Sequence, residues 1–111
     1  MKKKVCTIIL NRNLPEVTNK LYLNLKKNNP YKDIYILESG SDKKNLSRYY
    51  TWYANSKIIK KKGLRFARGI NYALMQLIKE NKFKNYDGFL FLTNDTVFKN
   101  YKIIDKLSKI L

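Results

Sequence analysis

Short apolar runs of strand length alternate along this chain with segments whose apolar residues recur at helical spacing. Residues 5–10 and 33–37 form two such runs and residues 89–92 a third, as is typical of strands covered on both faces of a sheet. Helical spacing is found from residues 15 to about 30 and again across residues 68–82. Because each helix carries the chain back to start the next strand, this order restricts the chain to folds built on a mainly parallel sheet.

The middle and the end of the chain carry weaker patterns. Residues 57–60 predict a short strand, and their charged ends suit the edge of a sheet. After the last apolar run, Asn100 is expected to cap a final helix. Four residues at helical spacing predict a helix before the short strand: Leu46, Tyr49, Tyr50 and Tyr53. The final helix would present one apolar face, formed by Ile103, Ile104, Leu107, Ile110 and Leu111.

The length of the chain limits it to one domain. With 111 residues it can enclose a single core, so residues 1–111 are expected to fold as one unit. Its hydrophobic content of 44% also separates it from disordered chains, which lack the apolar residues needed to offset the entropy lost on ordering. The alternating order of strands and helices therefore predicts an α/β fold whose mainly parallel sheet has about four strands.

The formal net charge of +16 defines the classes of partner that this chain can attract. A strongly basic surface draws nucleic acid, anionic lipid head groups and phosphorylated substrates. The excess of Lys, together with abundant Asn, Ile and Tyr, is also what A/T-rich codon usage would produce, so the charge has a compositional explanation as well. A basic nucleic-acid-binding or adaptor domain without catalysis remains the alternative function. The stretch of residues 48–53, in which aromatic side chains follow Arg48, is the one hint of base stacking, and no nucleic-acid-binding motif accompanies it.

One cysteine and the lack of long apolar segments indicate the compartment. Cys6 has no partner for an intrachain disulfide and lies in an apolar run, which predicts a buried, unreactive thiol in a reducing, cytoplasmic setting. The apolar stretch after the three initial lysines is too short for a signal peptide, and no apolar segment approaches the length of a membrane span. Contact with an anionic membrane would therefore be peripheral, at its cytoplasmic face.

The turns that follow parallel strands lie on one rim of the sheet, where ligands bind. Here that rim would collect residues 11–13, 38–41 and 94–96. Its two carboxylates, Glu38 and Asp95, suit a hard cation such as Mg²⁺ or Mn²⁺, which is often held by one or two carboxylates together with substrate phosphates and water. The alternative for Asp95 is that it only caps a turn.

Several common types of site are excluded by the sequence. The chain has no histidine, which removes Ser/His and Cys/His nucleophiles and the usual transition-metal ligand sets. No G-x-G-x-x-G follows the first predicted strand and no G-x-x-x-x-G-K-[ST] occurs, so the fingerprints of dinucleotide binding and of the P-loop are both missing.

Four segments, in order along the chain, resemble the nucleotide-binding half of a family 2 glycosyltransferase with the GT-A fold. Residues 8–13 resemble the end of the family's first strand, and residues 36–41 the place where it has an acidic residue followed by Gly-Ser. Residues 66–71 resemble the segment that enters its third helix, and residues 92–95 its D-x-D region. The resemblance implies a Rossmann-like three-layer half domain, with a sheet in the strand order 3-2-1-4.

The resemblance also implies roles for individual residues in binding a nucleotide-diphosphate sugar. The residues that approach the nucleotide, with Glu38 hydrogen-bonding its base, would be Asn11, Arg12, Asn13, Glu38, Ser39, Gly40 and Ser41. The pocket for the sugar and diphosphate would be lined by Arg68, Gly69, Asn71 and Asn94. Asp95 would hold Mg²⁺ or Mn²⁺, which neutralises the diphosphate leaving group.

The chain departs from the family's pattern at three positions and in its extent. Thr93 stands at the first acidic position of D-x-D, Glu38 replaces the usual aspartate, and Arg65 stands where a glycine often precedes Phe66. Family members continue into a half that binds the acceptor and carries the general base, whereas this sequence ends 16 residues after Asp95. We therefore expect a truncated, weakly active domain that serves transfer to a glycan or lipid-linked acceptor. Its partner would be an acceptor-half chain or a second copy.

Overall fold

A four-stranded parallel sheet forms the centre of the computed structural model, which describes residues 3–30, 32–96 and 101–111. Its strands are β1 (Val5–Asn11), β2 (Asp33–Ser39), β3 (Trp52–Ala54) and β4 (Gly88–Thr93), in the order β3-β2-β1-β4. The helices are α1 (Pro15–Asn28), α2 (Lys57–Lys62), α3 (Arg65–Lys79) and α4 (Ile103–Ile110), and two single 3₁₀ turns cover Lys43–Asn45 and Phe83–Asn85. The predicted α/β fold and the implied strand order 3-2-1-4 are both confirmed.

The sheet is covered on both faces, which gives the three layers that were expected. Alternate residues of the central strand β1 point to opposite sides, so Val5 and Ile9 join one apolar cluster and Cys6 and Ile8 the other. The first cluster packs against α1 and α4, and the second against α3. Such double coverage explains why the central strands read as continuous apolar runs.

Cys6 is completely buried in the second cluster, as predicted. Its burial, and to a smaller extent the nearby charge of Asp33, raises the pKa of the thiol to about 12. The thiol therefore stays protonated at neutral pH, and the protonated form is not the nucleophile.

The predicted helix over residues 46–53 and the predicted strand over residues 57–60 are wrong. The strand is β3, whose Trp52 and Ala54 are buried, and the following segment is the helix α2. Ser56 caps α2 by accepting a hydrogen bond from the backbone N–H of Ile59 at 3.3 Å, and a glycine ends it at a φ of 73°. The spacing of the tyrosines reflects packing in an irregular segment, where Tyr49 stacks on a tyrosine of α1.

The two remaining helices differ from their predictions in extent. The predicted helix 68–82 is α3, which begins at Arg65 and ends at Lys79. The final helix α4 buries Ile104, but Ile110 at the end of its predicted face is 78% exposed. The predicted cap Asn100 lies outside the described residues. Among the helices that the structure describes, none is long and apolar enough to cross a membrane.

Candidate functional site

A buried network of polar side chains joins the carboxyl ends of β1, β2 and β4. Asn11, the last residue of β1, donates through Nδ2 to both carboxylate oxygens of Glu38 on β2, at 2.8 and 3.0 Å. Its Oδ1 accepts a hydrogen bond at 3.0 Å from Nδ2 of Asn94, the first residue after β4. One amide thus holds three strand ends in a fixed relation, at the rim predicted for the site.

The same amide also fixes the start of α1. Asn11 Oδ1 accepts from the hydroxyl of Thr18 at 2.9 Å and from the backbone N–H of Leu14 at 3.1 Å. Leu14 occupies the N-cap position and its side chain makes no capping hydrogen bond. The bonds to Asn11 instead tie the start of the helix to the end of β1. The partners of Nδ2 are hydrogen-bond acceptors and the partners of Oδ1 are donors. The side-chain amide of Asn11 is therefore satisfied in only one orientation.

The carboxylate of Glu38 is turned inward and fully engaged. Its oxygens accept from Ser41 Oγ and from the backbone N–H of Ser47, each at 2.6 Å, in addition to Asn11. Three donors to one buried carboxylate compensate the cost of removing its charge from water. Glu38 has no exposed surface, so contact with a nucleotide base would require one of these donors to leave.

The turns after β1 and β2 are bonded to each other beside this network. Ser41 Oγ accepts from the backbone N–H of Asn13 at 3.0 Å, and Asn13 Oδ1 accepts from the backbone N–H of Asp42 at 2.8 Å. Ser39 Oγ accepts from the backbone N–H of Leu64 at 2.7 Å, which connects β2 to the start of α3. The structure therefore brings the residues assigned to the nucleotide together, and most of their contacts are internal.

A cleft of about 210 Å³ opens between this rim and the first turn of α3. Of the predicted site residues, Arg12 lines it together with Asn11, Ser39 and Asn94. Sequence reasoning missed the other lining residues: Leu10, Leu14, Arg65, Phe66 and Thr93. The cleft thus combines two guanidinium groups with apolar and aromatic side chains.

Three residues predicted to line the sugar-diphosphate pocket lie outside this cleft. Arg68 and Asn71 line a separate, open groove of about 360 Å³ along the outer side of α3. Gly69 is buried against β1, and a Cβ there would lie 3.0 Å from Cδ1 of Leu10, so its role is close packing of helix on sheet. Arg65 and Phe66, in the first turn of α3, line the cleft to which the resemblance had assigned Arg68.

Asp95 lies in an exposed turn directly after β4. Its Oδ1 accepts from the hydroxyl of Thr93 at 2.7 Å, and the hydroxyl of Thr96 donates to the carbonyl of Thr93 at 2.8 Å. Asp95 borders a hollow of about 290 Å³ next to the cleft, and Asn94 lines both. In the part of the chain that the structure describes, no group of three or more His, Cys, Asp or Glu residues could hold a metal. A cation at Asp95 would therefore need further oxygen ligands from a bound substrate and from water.

Arg65 adopts an uncommon backbone conformation beside the cleft. Its φ is 61°, and among the described residues the other positive values belong to asparagines and glycines. For a residue with a Cβ this left-handed conformation costs roughly 1–2 kcal/mol. It also explains why a glycine would suit this position. Strain of this kind is typical of places where a side chain is held for function.

We expect the glycine variant to be more stable than the alanine variant at position 65, and the reverse at position 68. Arg65→Gly should be more stable than Arg65→Ala by about 0.5–1 kcal/mol, because glycine tolerates the positive φ. At the control position 68, with ordinary helical geometry, Arg68→Ala should be more stable than Arg68→Gly by about 1 kcal/mol. Urea denaturation of the four variants measures both differences, and an Arg65→Ala variant at least as stable as Arg65→Gly would show that Arg65 is not strained.

The chain was compared with protein-family models, with curated proteins and with solved structures, and none of these comparisons found a match. The resemblance to family 2 glycosyltransferases accordingly rests on the four sequence segments. What the site can bind has to be inferred from its own chemistry.

Proposed function

We propose that the rim cleft binds a nucleoside diphosphate, and that the domain serves as the nucleotide-sugar-binding part of a glycosyltransferase. The observation that carries this proposal is the composition of the cleft. Arg12 and Arg65 line it at the carboxyl ends of parallel strands, beside the aromatic ring of Phe66. Guanidinium groups pair well with phosphate oxygens, and an aromatic side chain offers a surface for a base or sugar ring.

The residues below the cleft have a positioning role in this proposal. Asn11 and Glu38 are buried and hold the three strand ends, while the turns carrying Asn13 and Ser41 are fixed on each other. Asn94 lines the cleft and donates into the same network. A ligand site held by buried hydrogen bonds loses little entropy when it binds, which favours affinity.

A divalent cation at Asp95 remains part of the proposal. The turn offers a carboxylate and the hydroxyls of Thr93 and Thr96, all oxygen donors of the type that Mg²⁺ and Mn²⁺ accept. Such an ion would neutralise the negative charge of a departing diphosphate. Because the protein supplies one carboxylate here, the ion should bind well only together with the diphosphate.

The acceptor and the general base that deprotonates it are not assigned to residues of this chain. We propose a glycan or a lipid-linked molecule as acceptor and an acceptor-binding half on another chain, or a second copy, as partner. The proposed compartment is the cytoplasm, where the single buried thiol would remain reduced.

A nucleic-acid-binding function has less support from the aromatic residues that suggested it. Trp52 is buried and donates through Nε1 to Glu80 at 2.7 Å. Tyr49 stacks on Tyr22 with ring centroids 4.8 Å apart. Tyr50 is 45% exposed, and one such ring does not form a platform for successive bases.

Titration calorimetry with uridine diphosphate and deoxythymidine diphosphate, each with and without Mn²⁺, tests the proposal. Mn²⁺ should tighten binding at least tenfold in the wild type, and Asp95→Asn should abolish this increment. Arg65→Ala should weaken binding by about tenfold or more with and without metal, because a charged hydrogen bond to phosphate is lost. The matched control is Asp87→Asn, which lies just before β4, at the amino ends of the strands and away from the cleft. The proposal would be contradicted if neither nucleotide binds.

A further inference from the structure

A third of the chain carries positive charge without any acidic residue to offset it. Between Asp42 and Glu80 there are ten Lys and Arg residues and no Asp or Glu. All ten are exposed, on the irregular segment before β3 and on α2 and α3: Lys43, Lys44, Arg48, Lys57, Lys60, Lys61, Lys62, Arg65, Arg68 and Lys79. Overall composition explains many lysines, but it does not explain why acidic residues are confined to the rest of the chain.

Within this region, α2 and the first turns of α3 form a continuous basic surface. Lys62, Arg65 and Arg68 line one hollow of about 350 Å³. The side chain of Arg12 extends this surface from the neighbouring turn, since its Nη2 donates to the carbonyl of Lys60 at 3.1 Å. Lysines three or four residues apart continue it along α2.

One apolar side chain projects from the same surface. Ile58 is 74% exposed, whereas its neighbour Ile59 packs against the second apolar cluster. In the helix Ile58 lies on the same side as Lys62, four residues later. We call Lys57, Ile58, Lys61, Lys62 and Arg68 the α2–α3 surface.

We propose that the α2–α3 surface docks onto an anionic lipid bilayer, with Ile58 entering the head-group region and the cations contacting lipid phosphates. Stable binding at a bilayer surface generally needs two contributions, electrostatic attraction and the burial of apolar groups, and this surface offers both. The positive charge would attract a nucleic acid as well as a bilayer. A nucleic acid, however, offers no apolar region in which Ile58 could be buried, and Ile58 has no ring that could stack on a base.

Docking in this way would place the nucleotide cleft next to the bilayer. Arg65 lines the cleft and also the hollow that it shares with Lys62 and Arg68, so the cleft opens beside the proposed contact. If the proposed function holds, a lipid-linked acceptor would then be within reach of the bound donor. The docking itself does not depend on that function, because it follows from the exposed side chains of α2 and α3.

Vesicle co-sedimentation tests the docking, with phosphatidylcholine vesicles containing about one third phosphatidylglycerol and with pure phosphatidylcholine vesicles, at physiological salt. The protein should bind the former and not the latter. Lys61→Gln/Lys62→Gln should weaken binding roughly 25-fold, since each cation near the anionic surface contributes about fivefold. The matched control is Lys27→Gln/Lys84→Gln, which removes the same charge from the other end of the sheet and should cost much less.

Ile58→Ser separates bilayer docking from simple charge attraction. It should weaken vesicle binding about five- to tenfold while leaving the binding of a DNA duplex and of uridine diphosphate unchanged. Vesicle binding equal to the wild type in this variant, or equal losses in the two double variants, would overturn the proposal. So would tight duplex binding at physiological salt without vesicle binding. Nucleotide binding by the same samples reports on the proposed function separately.

Discussion

Glu38→Ala is expected to lower the free energy of unfolding by about 3–5 kcal/mol, a large part of the total for a domain of this size. The carboxylate is fully buried and accepts hydrogen bonds from Asn11, Ser41 and the backbone of Ser47. Alanine would leave these donors without an acceptor in a site that water does not reach. Equilibrium denaturation in urea measures the loss.

Two further variants show whether the loss comes from the network. Glu38→Gln keeps the volume but presents an NH₂ group to donors, so it should cost about 1–3 kcal/mol, less than alanine. Ser41 can turn its hydroxyl hydrogen to tolerate this change, whereas the backbone N–H of Ser47 cannot. Glu16→Ala, on the exposed first turn of α1, should cost less than about 1 kcal/mol. A loss below that value for Glu38→Ala would show that the network does not hold the rim.

Gly40→Ala is expected to destabilise the fold by about 3–5 kcal/mol, through backbone strain and a clash with α2. Gly40 follows β2 with a φ of 74°, and a Cβ there would lie 2.2 Å from the carbonyl oxygen of Ile59. This oxygen belongs to the helix backbone, so relief would require α2 to move away from the sheet. Thermal and urea denaturation both measure the effect.

Gly63→Ala is the matched control because it shares the strain and lacks the backbone clash. Its φ is 73°, and a Cβ there would lie 2.7 Å from the side chain of Arg12, which is flexible and can move. We expect a smaller loss than for Gly40→Ala, about 1–3 kcal/mol, because the ψ of 173° at Gly63 belongs to a region that is essentially restricted to glycine. Equal losses in the two variants would mean that the close approach of Gly40 to α2 is unimportant. The role of Gly40 would then be limited to its turn.

The central strands could be predicted from the sequence because burial on both faces leaves continuous apolar runs. The carboxyl ends of these strands could not be predicted in this way. The ladder between β1 and β2 continues through the pair Asn11 and Glu38, and β4 includes Thr93. Hydrophobicity therefore stops identifying the strand at the polar residues that form the site.

The strand β3 and the helix α2, at the edge of the sheet, were not predicted correctly because both are too short to show a periodic pattern. β3 has three residues, and the adjacent isoleucines of α2 are equally compatible with a strand. Two signals for the helix were present in the sequence, Ser56 as a cap and Gly63 as a terminator.

The site could be predicted in its location and only partly in its members. Asn11, Arg12, Ser39 and Asn94 were expected at the rim and line the cleft. Arg65 and Phe66 stand in the first turn of α3, and the resemblance assigned the pocket to Arg68, Gly69 and Asn71 instead. The contribution of Ser47 is a backbone N–H, for which no residue type is required and no sequence signal exists.

The central claim, that the rim cleft binds a nucleoside diphosphate, is tested most directly by amide chemical shifts in ¹⁵N-labelled protein during a titration with uridine diphosphate and Mg²⁺. We expect the largest, saturable changes at the amides that surround the cleft: Arg12, Ser39, Arg65, Phe66 and Asn94. The account would be contradicted if no change saturates. It would also be contradicted if the saturating changes are confined to the amino ends of the strands, around Asp33 and Tyr86.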